Sequence, residues 1–277
     1  MCELDTLGFD VAAAAGWYSA IAGLLAGFAL LAVLLPLDHE TKDNGEQADR
    51  AGASGVIVFT SAFFALLVLA FTYAILSGRP QGAVAVHEQQ LSGTAFGLAS
   101  LLIILGLREV LRMYGGNRAM LAPASALIAR VTGIFGPIIV VAFTFSNALD
   151  VEAYRAKASP TELLCVAGMP SGVWINAIIC LVAALAIALL PLAAKGRTLD
   201  AAAAAAIGHA TLAFTVSVAV WTAAIVPFLP VDVIGGALIE HTVVAVSAAG
   251  AVGFGATAWL SRSASLVAQT PRARRPT

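Results

Sequence analysis

The chain has 277 residues, 60% of them hydrophobic and only 11% charged, with a formal net charge of −1. That balance lies outside the range of soluble domains and makes lipid the expected solvent. It also leaves no room for a separate soluble domain, because the longest polar connections, 37–52 and 150–172, are too short to build a core.

A helix needs about 20 mainly apolar residues to cross roughly 30 Å of hydrocarbon. Seven stretches qualify, at about 11–36, 53–77, 92–114, 124–149, 173–194, 203–229 and 233–260. Backbone polar groups in lipid must pair within their own segment, so these stretches are expected to be helical. The predicted fold is all-α: a polytopic integral membrane protein whose single seven-transmembrane-helix domain covers 1–262. A short basic tail, 263–277, follows.

Acidic residues, Glu3, Asp5 and Asp10, precede the first stretch, which lacks the basic start of a cleaved signal and reads as an uncleaved span. Ser19, Gly23 and Gly27 recur there at four-residue spacing, a smooth face expected to meet a neighbouring helix. The loop 37–52 is rich in acids and reads as a solvated turn. Arg108, Glu109 and Arg112 close the third span, where long basic side chains snorkel to the headgroups, and Arg130 reads as a similar anchor early in the fourth. Further along the fourth span, Gly133 to Pro137 combines small residues with a missing donor and predicts a kink.

Ionisable and amide groups inside spans are costly, and they mark the candidate site. Glu240 and His241 are the strongest, read as seven or eight residues into the seventh span, roughly 10–12 Å deep. Glu240 shares a face with Gly236, Val244, Ser247 and Ala251, small enough to point into the bundle. At similar depth come His87 and Glu88 before the third span, Ser146 and Asn147 closing the fourth, and Asn176 opening the fifth. A Glu88–Glu240 pair would share a proton. The bland alternative is interhelical polar glue. A secondary candidate is His209 in the sixth span, on a face with Ala213, Ser217 and Trp221 that is small and polar enough to point inward.

No cofactor is expected. His209 and His241 enter from opposite ends, too far apart in depth for a bis-histidine haem, and no His/Cys metal spacing occurs. Of the three cysteines, Cys2 and Cys165 fall on one side and a bridge between them is conceivable, while Cys180 reads as a packing residue. The end of the last span, Val252, Gly253, Phe254, Gly255 and then Ser261, Arg262, Ser263, resembles the corresponding end of microbial rhodopsins, which have seven helices and an outward N-terminus. That resemblance implies a retinal-binding lysine just before the stretch. Ala251 stands there instead, and retinal is not expected.

Basic residues in short loops stay on the cytoplasmic side. Twelve Lys and Arg fall on one predicted side and three, Arg79, Arg155 and Lys157, on the other. The N-terminus is therefore expected outside and the C-terminus in the cytoplasm. An arginine-rich, alanine-rich composition suggests a bacterial cell membrane. The tail's Arg272, Arg274 and Arg275 would meet anionic lipid, and nothing in it suggests nucleic acid.

The preferred functional expectation is an outward-facing polar pocket for transport, channelling or sensing of a proton, cation or small solute. Next comes a non-catalytic subunit or assembly factor, in a homo-oligomer or membrane complex. An enzyme acting on a lipid or isoprenoid ranks last, since no GxSxG, HExxH or Gly-rich phosphate loop occurs.

Overall fold

The computed structural model describes residues 10–37, 46–80, 82–113, 118–158, 165–166, 168–194, 199 and 202–261. Residues 38–45 of the loop 37–52, the tail 263–277, Cys2 and the side chain of Cys165 lie outside the described residues, and with them the conceivable Cys2–Cys165 bridge.

Nearly all of the described chain is helix. The elements are α1 Val11–Leu37, α2 Glu46–Ser77, α3 Ala83–Met113, α4 Arg118–Arg130, a π turn Val131–Phe135 and α5 Gly136–Ala158. A two-stranded hairpin, β1 Cys165–Val166 with β2 Met169–Pro170, leads into α6 Ser171–Ala193. Then come α7 Ala202–Val220, a second π turn Trp221–Ile225, a 3-10 turn Val226–Phe228, the single-turn α8 Val231–Ile234, and α9 Ala237–Leu260. Seven helical segments among them are long and apolar enough to span a membrane, the fourth formed by α4, its π turn and α5 together.

Local chemistry sets the ends of these helices. Asp10 Oδ1 accepts from the backbone N–H of Ala12 and Ala13 and so caps α1. Gly168, at φ 81°, supplies the left-handed residue that the hairpin turn needs, and Trp174 Nε1 donates to Val166 O to hold the hairpin on α6. The expected disruption at Gly133–Pro137 takes the form of the first π turn. The Gly136 N–H reaches Val131 O, and the widened turn absorbs the donor that Pro137 lacks.

Several helices outlast their apolar runs. Against the expected 92, α3 begins at Ala83. Against 149, α5 runs to Ala158, and α2 starts at Glu46 rather than 53. The polar ends HEQQ, DVEAYRAKA and EQADR contain no proline or glycine, and nothing in them stops a helix once it has nucleated. The seventh span is shorter than expected, beginning at Ala237 and not at 233. Gly235 and Gly236 break the chain between α8 and α9.

The central helix is α3, which packs on α1, α2, α5, α7 and α9. α5, α6 and α9 pack on one another to one side, and α1 lies at the edge against α2 and α3. Ser19 Oγ donates to Ala70 O and ties α1 to α2. The expectation for the rest of that stripe is corrected: Gly23 and Gly27 face away from the bundle with open space where a Cβ would stand. One apolar cluster, with Leu102, Val140, Ala251 and Phe254, fills the α3–α5–α9 seam. A second, with Tyr73, Leu69 and Ala99, fills the α1–α2–α3 seam. Below, the upper end of the bundle is the one at which α1 begins, and the lower end is the other.

Candidate functional site

Three helices, α5, α6 and α9, converge at the upper end around one guanidinium. Arg155, one turn beyond Glu152 on α5, donates from Nη1 to Glu152 Oε1 at 2.7 Å and to Glu240 Oε2 at 2.9 Å. Glu240 comes from the first turn of α9, where the helix dipole favours an acid. Its other oxygen, Oε1, accepts from Asn176 Nδ2 of α6 at 2.5 Å. Asn176 Oδ1 lies 2.8 Å from His241 Nδ1. With the amide in this orientation its oxygen accepts, so His241 carries the proton on Nδ1 and a directed chain runs His241 to Asn176 to Glu240.

The acids and the amide of the cluster are buried, while Arg155 keeps a side-chain exposure of 20%. Glu152 is fully buried, Asn176 and Glu240 nearly so, and His241 sits partly exposed at the edge. Gly172 of α6 makes room for the first of these acids: a Cβ there would collide with the Glu152 carboxylate. Glu152 Oε2 has no hydrogen-bond partner among the described residues. With both acids ionised, two carboxylates face one guanidinium, and one negative charge is left uncompensated by these side chains.

The structure sorts the predicted residues into separate groups. Glu240, His241 and Asn176 come together. Glu88 does not join them, and the expected Glu88–Glu240 pair is corrected: Glu88 Oε1 pairs with Arg79 Nη1 at 3.0 Å on the α2 side of α3. The ion pair heads a cavity of about 230 Å³ between α2, α3 and the second π turn, lined by Phe71, Thr72, Ile75 and Thr222. His87, on the preceding position of α3, accepts from Trp221 Nε1 at 3.2 Å, so two residues from different candidate sets meet there. Both His87 and Glu88 lie buried within α3 rather than ahead of it. Asn147 packs on α3 at Gly93, where a Cβ would strike its amide, and Ser146 is exposed.

His209 is corrected as well. It is exposed with Ala213 and Ser217 on the outer face of α7, and the inward face is Ile207, Gly208, Thr211 and Thr215. Ala251, the position of the lysine in the rhodopsin resemblance, is fully buried in the apolar core. Among the described residues no group of three or more His, Cys, Asp or Glu is placed to hold a metal ion.

Glu152 and Arg155 are absent from the expected site because apolarity alone ends the fourth span at 149. Their i, i+3 spacing in a run of helix formers is the signal that extends it. Family models, curated proteins and solved structures were all compared with this chain, and none matches.

A second buried ionic group closes the lower end. Arg108, 1% exposed, donates from Nε and Nη2 to Glu109 Oε1, from Nη1 to Ala258 O at 2.7 Å, and from Nη2 to Ser261 Oγ at 2.8 Å. Arg112 Nη1 reaches the same carboxylate at 2.9 Å. The snorkelling expected of Arg108 is thus corrected: its fork is turned inward to Ala258 O, a terminal carbonyl of α9, to Ser261 Oγ and to the Glu109 carboxylate that it shares with Arg112.

Proposed function

We propose that the protein is a cell-membrane protein, with its N-terminus outside and its C-terminus in the cytoplasm, that takes up a proton or a monovalent cation at the upper end for transport, channelling or sensing. The observation that carries this reading is the meeting of Glu152 and Glu240 on one nitrogen of Arg155. An uncompensated charge in a low-dielectric site is expensive, and the cluster lowers its energy by acquiring one positive charge, as a proton shared by the acids or as a bound cation. His241, at the edge, with Asn176 behind it, is the entrance: the chain of hydrogen bonds leads from partial exposure to the buried acid. The skew of basic residues toward the other loops supports the orientation.

The test is ion flux in proteoliposomes. Proton and potassium or sodium gradients should dissipate faster with the wild-type protein than in empty vesicles, and Glu240→Gln, which removes the surplus charge, should lower the rate at least tenfold. Equal rates in wild type and variant would refute the reading.

A second reading, a subunit or assembly factor, is favoured by one observation. Gly16, Ala20, Gly23 and Gly27 lie on one exposed side of α1, and a Cβ at any of the three glycines would meet nothing. Smooth faces of this kind let helices approach closely in lipid. Purification in mild detergent tests it: a stoichiometric partner supports the subunit reading, and a clean monomer opposes it.

A further inference from the structure

Beneath the carboxylates, the seam between α3, α5 and α9 holds more polar groups than the acid cluster uses. Gln90 of α3 is fully buried, and neither its Oε1 nor its Nε2 has a partner among the described residues. Ser247 Oγ of α9, in a residue 1% exposed, is likewise without one. In hydrocarbon such groups are tolerated only when something satisfies them.

Two contacts set the levels. Thr94 Oγ1 lies 3.1 Å from Thr144 Oγ1 and pins α3 against α5. Gly250 of α9 lies beside Leu98 of α3, where a Cβ on it would stand 3.8 Å from Leu98 Cδ1. Gln90 lies one turn above Thr94 on the same face of α3, and Ser247 lies about one turn above Gly250, level with Thr94. Ser247 shares its face of α9 with Glu240 and Val244. From the upper end downward the seam therefore presents Glu240, then Gln90, then Thr94, Thr144 and Ser247. Ser247 is ten residues into α9, about 15 Å and so about halfway through the hydrocarbon. Below it stand Leu98, Leu101, Val140 and Ala251, all apolar and buried.

We infer that Gln90, Ser247 and the Thr94–Thr144 pair hold a line of internal water that continues the carboxylate cluster inward as far as the leucine layer, an inlet through which protons enter the bundle from the upper end. The amide of Gln90 is suited to this, since it donates and accepts at once and can satisfy water on either side. A proton passes along such a line by exchange of O–H bonds, each oxygen gaining one hydrogen as it gives up another. The inference rests on the proton reading of the cluster, but the water itself can be detected independently of it.

Water-edited solid-state NMR of the ¹⁵N-glutamine protein in bilayers tests it, with the Gln90 side chain assigned by sequential correlation in the wild type. Magnetisation from water should reach the Gln90 amide as fast as it reaches an exposed side chain, and a Gln90 amide that receives none would overturn the inference. In the flux assay Gln90→Leu should slow proton movement at least tenfold. Unchanged flux in that variant, with flux in the wild type, would overturn the role of the line. A wet Gln90 together with a wild type that passes no protons supports the water line and counts against transport instead.

Discussion

Arg155 Nη1 stands 2.9 Å from Glu240 Oε2 although 85 residues separate them in the chain. This ion pair links α5 to α9 at the upper end, and because the same nitrogen serves Glu152 at 2.7 Å, the charge of the whole cluster depends on one side chain. Replacing Arg155 by Leu leaves two buried acids facing each other. The cost should be about 2–3 kcal/mol, below the roughly 3–5 of a fully buried pair because the Arg155 side chain keeps 20% exposure. Thermal unfolding in detergent checks it, and Glu152→Gln with Glu240→Gln in the same chain should restore most of the loss.

Gly172 of α6 is where the cluster has least space. The Cβ of Gly172→Ala would fall on the Glu152 carboxylate, and that carboxylate is fully buried. The variant should lose about 1–3 kcal/mol, the usual cost of overpacking, and should lose flux along with Glu240→Gln. A variant as stable and as active as wild type would show that Glu152 has somewhere else to go.

At the lower end the guanidinium fork of Arg108 matters more than its charge. Lysine has no planar fork and cannot serve Glu109, Ala258 O and Ser261 together. Arg108→Lys is expected to lose about 3 kcal/mol despite keeping the charge, read as a lowered unfolding midpoint and as faster proteolysis at the end of α9.

The outward side of α1 predicts the opposite behaviour. Gly23→Leu and Gly27→Leu meet open space, so the isolated protein should keep its stability within about 0.5 kcal/mol. A co-purifying partner or a second copy seated on that face would be lost in the same variants, which size-exclusion chromatography in mild detergent would show.

Hydropathy carries the fold a long way. The seven apolar segments, the irregular turn at Gly133–Pro137 and the inward face of Glu240 with Ser247 are all legible from length and helical spacing. Hydropathy fails at the polar ends, because a helix does not stop where its apolar residues do. That is why Glu152, Arg155 and Gln90 read as loop or escape notice. Glu240 reads as deeper than the first turn of α9 for the opposite reason: the apolar run begins at 233, and Gly235 and Gly236 hold back the helix until Ala237. Direction around a helix is the other gap. His209 and Ile207 differ by two positions, yet only packing against the neighbouring helices decides which of them is buried.

The claim at the centre of this account is that the Glu152–Arg155–Glu240 cluster gains and loses one positive charge. Infrared difference spectroscopy of the protein in lipid, recorded while pH and then sodium or potassium concentration are stepped, observes this at the carboxyl groups themselves. A difference band in the carboxyl region that disappears in both Glu152→Gln and Glu240→Gln is the predicted result. Wild-type and variant spectra that respond identically would contradict it.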